Sequence, residues 1–233
     1  MFAYINLFLI QRKFDIFSKV IFSLFIEFKI LFIIIFAEIY NSISVRNHIR
    51  NFFIEKFLDT YCKKIAKSLG NVLINENTLI NNNEIILVSR LQRGGGLTDI
   101  YNKINPGKDK LTLATNIFEF RSTTYLKIKE GINIKQINNF GLSARIKEIV
   151  KYISNYNLKV IHILNDNTDP VIYISYLISK QNRKNFLFYH HADHSFCFGS
   201  FEKDWRHIDL FQNQYLICKK ELETDFISMI NFL

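Results

Sequence analysis

Residues 159–191, KVIHILNDNTDPVIYISYLISKQNRKNFLFYHH, decide the fold. An apolar run at 159–164 gives way to the polar stretch Asn165, Asp166, Asn167, Thr168 and Asp169. Pro170 then opens a segment long enough for a short helix, because proline is tolerated in the first turn, where its missing N–H would have no partner anyway. A polar connector follows, and a second apolar run at 185–191 closes the stretch. Strand, helix, strand in this order is the unit that joins parallel strands, and strands covered on both faces read as nearly continuous apolar runs.

Working outward, the same alternation recurs. EIILVS at 84–89, LTLAT at 111–115 and INIKQI at 132–137 read as further short strands. Between the first two, Gly94, Gly95 and Gly96 precede a helical pattern carried by Leu97, Ile100, Tyr101 and Ile104. Residues 142–157 form a helix with Ile146, Ile149, Val150 and Ile153 on its inner stripe and Ser143 as a candidate cap. No repeat of solenoid period is visible. The expected fold class over 83–233 is therefore α/β, a Rossmann-like, mostly parallel sheet flanked by helices.

The first 82 residues differ in character. They read as an N-terminal apolar and basic helical segment, divided from the sheet domain by the Asn-rich NENTLINNNE. Residues 20–37 are long enough to cross a bilayer but carry Glu27 and Lys29 near the middle, each costing roughly 2.5–3.5 kcal/mol at a helix centre. A helix packed against protein, or lying in a membrane interface, fits those charges better than a span. The opening residues lack the basic leader and small-residue cleavage site of a signal peptide. Residues 44–70 read as one amphipathic helix. Phe53, Ile54, Phe57, Leu58, Tyr61, Ile65 and Leu69 lie on one face, Arg46, Arg50, Lys56, Lys63, Lys64 and Lys67 on the other, and Gly70 at the end.

The chain of 233 residues is 48% hydrophobic with 23 Phe, which excludes a disordered polymer and suits a sizeable core. Its net charge of +9 favours an anionic partner: phosphorylated small molecules, a membrane surface or nucleic acid. Lysines are spread along the chain without a compact basic block interleaved with aromatics, so nucleic acid is not expected. Cys62, Cys197 and Cys218 are odd in number and unpaired by motif, as expected of reduced thiols in a cytoplasmic protein.

Ligands of parallel α/β sheets bind beyond the carboxyl ends of the strands. Three polar loops fall there: Gly94–Gly96, the stretch from Asn165 to Asp169, and His190-His191-Ala192-Asp193-His194. The glycines match neither the dinucleotide fingerprint nor the phosphate-binding P-loop, and Asp169-Pro170 reads chiefly as a helix start. The histidine segment is dense in groups that titrate near neutrality. Aligned with the dinuclear pattern HxHxDH, it offers His191, Asp193 and His194 but has Tyr189 where the first histidine belongs. His48, His162 and His207 supply no partner motif, and His162 reads as a strand residue. No metal is therefore assigned, although a metal-dependent hydrolase is the rival reading of the cluster, and a non-catalytic membrane-surface interaction module the rival reading of the chain.

Taken together, ILVSRLQRGGGLTDIYNKI, VIHILNDNTDPVIYISYL and FLFYHHADHSFCFG with the later WRHIDLF resemble the N-terminal half of bacterial glycosyltransferases of the GT-B class. The likeness runs from about Glu84 to Leu222 and includes the aromatic Phe196 and Gly199 that follow His-Ala-Asp-His. It implies transfer of a sugar from a nucleotide-sugar substrate to a glycan or lipid-linked acceptor, without a resident cofactor. Gly94, Gly95, Gly96, Thr98 and His190 would lie against donor or acceptor, and Asp193, His191 or His194 would take the acceptor's proton. In that class a second Rossmann-like domain holds the donor. This sequence stops where that domain would begin, so a partner domain is expected to complete the cleft, at the inner face of the cytoplasmic membrane.

Overall fold

The computed structural model describes residues 2–47, 51–70, 84–89, 96–104, 110–115, 133–137, 141–155, 160–179, 185–190, 196–209, 216, 219–220 and 227–229. The apolar runs at its centre pair side by side as β1 (Glu84–Val88), β2 (Lys110–Ala114), β4 (Val160–Leu164) and β5 (Asn185–His190). They are extended by β3 (Asn133–Gln136), β6 (Arg206–Asp209) and β7 (Ile227–Met229). The order across the sheet is β3-β2-β1-β4-β5-β6-β7, and every neighbouring pair is parallel. The chain winds outward from β1 to β3, returns beside β1 as β4, and winds outward the other way. That reversal between β1 and β4 is the mark of a doubly wound, Rossmann-like sheet.

Period-two alternation sorts the strand side chains onto two faces. Ile85, Leu87, Leu111, Leu113, Ile161, Ile163, Phe186 and Phe188 enter one core with α4 (Leu142–Asn155) and α5 (Pro170–Ser179). Ile86, Val88, Ala114, Leu164, Tyr189 and Ile208 enter another, covered by Ile100 and Tyr101 of α3 (Gly96–Lys103). Eight residues of α5 are buried, a helix apolar all round because it is covered on both sides.

The outer cover is the N-terminal segment. α2 (Phe52–Gly70) packs on α5 through Leu58, Cys62, Ile65, Ala66 and Leu69, while α1 (Phe2–Asn47) packs on α2, α4 and α5. The division expected near Asn83 falls in 71–83, outside the described residues, and the helices before it share one core with the strands after it. The charged residues of α1 explain its docking. Glu27 accepts hydrogen bonds from the backbone N–H groups of Leu142 (2.7 Å) and Ser143 (2.8 Å), capping α4 from a different helix. Glu38 accepts one from the hydroxyl of Thr168. Ser143, expected as the cap, instead donates its own hydroxyl to Glu27.

Residues 44–70 do not form the single helix that their periodicity suggests. α1 runs to Asn47, and α2 starts afresh at Phe52 behind Asn51, whose Oδ1 accepts from the N–H groups of Phe53 (3.1 Å) and Ile54 (3.3 Å). Tyr40 secures the corner: its oxygen accepts from the Asn51 N–H (2.6 Å) and its hydroxyl donates to Glu55 (2.9 Å). A local side-chain cap outcompetes continuation of the helix there.

Candidate functional site at the carboxyl edge of the sheet

Because the strands are parallel, the three loops singled out by sequence leave the same edge. The glycine triplet lies in the β1–α3 connection, with Gly96 the first residue of α3 and Thr98 in its first turn. The segment 165–169 joins β4 to α5, and His190 ends β5. β1, β4 and β5 are adjacent, so the loops spring from neighbouring strands at the winding reversal. Gly94, Gly95, His191, Asp193 and His194 lie outside the described residues, as does the side chain of Thr98.

The floor of this edge is a buried polar network. Ser89 donates its hydroxyl to Asn165 Oδ1 (2.8 Å) and accepts from the Asp166 N–H (2.7 Å). Asn165 Nδ2 donates to the Asp169 carbonyl (2.9 Å). Asp169 accepts from the Thr115 hydroxyl (2.7 Å) and from the Val171 N–H (2.8 Å), so its carboxylate also caps α5. Arg145 of α4 donates to the Thr115 carbonyl (2.7 Å). Burial drives the Asp169 pKa up to about 6, against the lowering effect of its hydrogen bonds. The network ties the ends of β1, β2 and β4 to the start of α5 and fixes where their loops emerge. The sequence reading included Asn165 and Asp169 but passed over Ser89, Thr115 and Arg145. Single polar residues directly after apolar strands were the available signal.

His190 is buried and faces into the protein rather than along the loop. Its Nδ1 lies 2.6 Å from Asp209 Oδ1, and its Nε2 lies 3.2 Å from His207 Nδ1. His207 Nε2 is 2.8 Å from the Glu202 carbonyl, which can only accept, so that nitrogen carries the hydrogen. Burial, then the neighbouring His190, hold the His207 pKa down at about 3 and keep the ring neutral. Its Nδ1 is therefore an acceptor, and His190 donates to it from Nε2. His190 Nδ1 faces Asp209 Oδ1 across the 2.6 Å contact. Glu202, His207, His190 and Asp209 form one buried chain of contacts at the end of β5, directly before His191 in sequence. β6 makes this possible by setting Asp209 opposite His190 and His207 opposite Phe188. His207, which sequence reasoning left without a partner, is the middle member. His162 is the strand residue it was expected to be, between Tyr189 (2.9 Å) and Glu84 (3.3 Å), its pKa lowered by burial.

Beyond the undescribed 191–195, the chain is clamped by the N-terminal helices. Asn41 of α1 accepts from the Phe196 N–H (3.0 Å), and Asp59 of α2 accepts from the Gly199 N–H (3.3 Å). Burial raises the Asp59 pKa well above the usual carboxylate range. Glu202 accepts from Tyr173 (2.8 Å) and pairs with Lys63 (2.6 Å). Gly199 has φ +84° and lies against Trp205, a close approach only glycine allows.

Among the described residues, no three His, Cys, Asp or Glu side chains are grouped so as to share a metal ion. What the edge offers chemically is a fixed polar floor, the start of α3, and the buried His190–Asp209 pair at the end of β5. Comparison of this chain with known protein families, with characterised proteins and with solved structures gave no match.

Proposed function

We propose that the chain is the acceptor-side half of a GT-B-class glycosyltransferase, using a nucleotide sugar as donor and a glycan or lipid-linked hydroxyl as acceptor. The observation that carries this reading is that the connections bearing Gly94–Gly96, residues 165–169 and the histidine segment follow adjacent parallel strands at the winding reversal, where doubly wound sheets take their ligands. In this reading Gly94 and Gly95, with Gly96 and Thr98 of the first turn of α3, take a phosphate or sugar oxygen of the substrate. Asp193, or His191 or His194 beside it, takes the proton of the acceptor hydroxyl as its oxygen attacks the anomeric carbon. The bond from that carbon to the diphosphate breaks, and the nucleoside diphosphate leaves. His190, which ends β5 directly before that segment, is a positioning residue. A second Rossmann-like unit brings the donor.

The test is consumption of a panel of nucleotide sugars by this chain, alone and with a second Rossmann-like domain supplied in cis or in trans. Turnover is expected only with the second domain, and Asp193→Ala lowers it by roughly a hundredfold or more. Full turnover by Asp193→Ala removes that residue as the base. Absence of turnover for every donor and domain tried sinks the transferase reading.

A further inference from the structure

Val20–Arg46 of α1 is long and apolar enough to cross a membrane, yet one of its faces is committed to protein. Ile26, Ile30, Ile33 and Ala37 are buried in the core, and Glu27, midway along the apolar stretch, holds the N-terminus of α4. Crossing a bilayer would strip that carboxylate from its two N–H partners and leave it in hydrocarbon. The opposite face is bare: Leu24, Phe25, Phe28, Leu31, Phe32 and Ile35 are each about half exposed or more, Phe28 by 69%. The apolar surface continues onto α2, because Tyr61 lies 6.4 Å from Phe32 and 6.2 Å from Phe57, ring centre to ring centre, and Phe53 is 81% exposed. Soluble monomers seldom leave so long an apolar stripe uncovered.

Charge selects the occupant. α2 exposes Lys56, Lys64 and Lys67 beside Lys63, which is paired with Glu202, while its acids Glu55 and Asp59 are buried. A second copy docked face to face would oppose like charges, whereas lipid phosphates oppose unlike ones. We propose that the outer face of α1 and α2 seats in the plane of an anionic bilayer, phenylalanines at the acyl boundary and lysines among the headgroups. The helix lies on the membrane without crossing it. This inference does not rest on the transferase reading.

The test is flotation of the full chain with phosphatidylcholine vesicles, with and without phosphatidylglycerol. The chain is expected to float with the anionic vesicles and to be released progressively by salt. Phe28→Glu with Ile35→Glu, both at exposed positions, should weaken partitioning about tenfold or more, with the circular dichroism spectrum and melting temperature retained. Lys56→Glu with Lys64→Glu and Lys67→Glu should do the same by removing the charge term. For orientation, Ser18→Cys and Arg46→Cys are made singly in a Cys218→Ser background and treated with an impermeant maleimide outside the vesicles. Labelling at both positions is expected. Protection of one of the two means a span and overturns the proposal. Equal flotation with neutral vesicles, no flotation, or flotation indifferent to both sets of substitutions overturns it as well.

Discussion

At Gly199 a single hydrogen atom decides whether the loop after β5 can close. With φ at +84°, an added Cβ would lie 2.3 Å from two carbons of the Trp205 ring and 3.1 Å from Tyr173. Trp205 cannot retreat, since it is fully buried, with the rings of Tyr176 and Phe188 each 4.7 Å away. Gly199→Ala should therefore cost roughly 2–5 kcal/mol, combining overpacking with a strained backbone. A urea midpoint corresponding to less than about 1 kcal/mol would contradict this geometry. Asp169 makes a prediction in pH. Its folded pKa is about 6, against about 4 in an unfolded chain. Between those values the unfolded chain releases the proton while the folded one keeps it, so the stability owed to this group is full below about pH 4 and falls as pH rises towards 6. His207 acts oppositely. Its pKa is held near 3, so its contribution is full above about pH 6.5 and falls on acidification through that lower range. Asp169→Asn removes only the first slope. Relative to the native chain, the variant should gain up to about 3 kcal/mol between pH 4 and 6, then run parallel to it. A constant difference across that range would refute the raised pKa.

The start of α4 shows how one element depends on another. Its first N–H groups are satisfied by Glu27, and a methyl group on Gly141 would come within 2.8 Å of that carboxylate. Glu27→Ala and Gly141→Ala should each cost about 1 kcal/mol by disturbing the same cap. In the Glu27→Ala background, Gly141→Ala should cost little more, and a double-mutant cycle by thermal or urea unfolding checks it. Strict additivity would mean the two act separately. This contact also marks the limit of sequence reading. Within the apolar helix Glu27 read only as a penalty, since its partner is 115 positions away. β1, β2, β4 and β5 were legible because each is an apolar run bounded by polar residues. β6, four residues RHID, and β7, three residues ISM, were not, being too short to show a period. The location of the candidate site followed from topology alone, because parallel strands put all their carboxyl ends on one edge. Its interior did not: the pairing of His190 with Asp209 depends on the β5–β6 register, and Arg145 reaches Thr115 from a separate helix.

For the whole molecule, the question is whether the sheet could stand without the helices that precede it. Eight of the ten residues of α5 are buried, and α2 supplies the outer cover with five buried side chains while α1 adds six more. A fully buried large apolar side chain is worth about 1.5–3 kcal/mol, and a whole domain is stable by only about 5–15 kcal/mol. Polar ties run the same way: Phe196 would lose Asn41, Gly199 would lose Asp59, Glu202 would lose Lys63, and α4 would lose Glu27. A chain starting at residue 83 should therefore lack a cooperative thermal transition and bind a hydrophobic dye at room temperature, whereas the full chain should melt in one step. Cooperative melting of the shortened chain would show that the sheet and its own helices suffice, and that α1 and α2 are an appendage. If melting is lost as expected, the helices that present the apolar stripe are the same ones that seat the loop behind the histidine segment. The proposed membrane face and the proposed transfer site then belong to one folding unit, with Asn41 and Asp59 as the direct links between them.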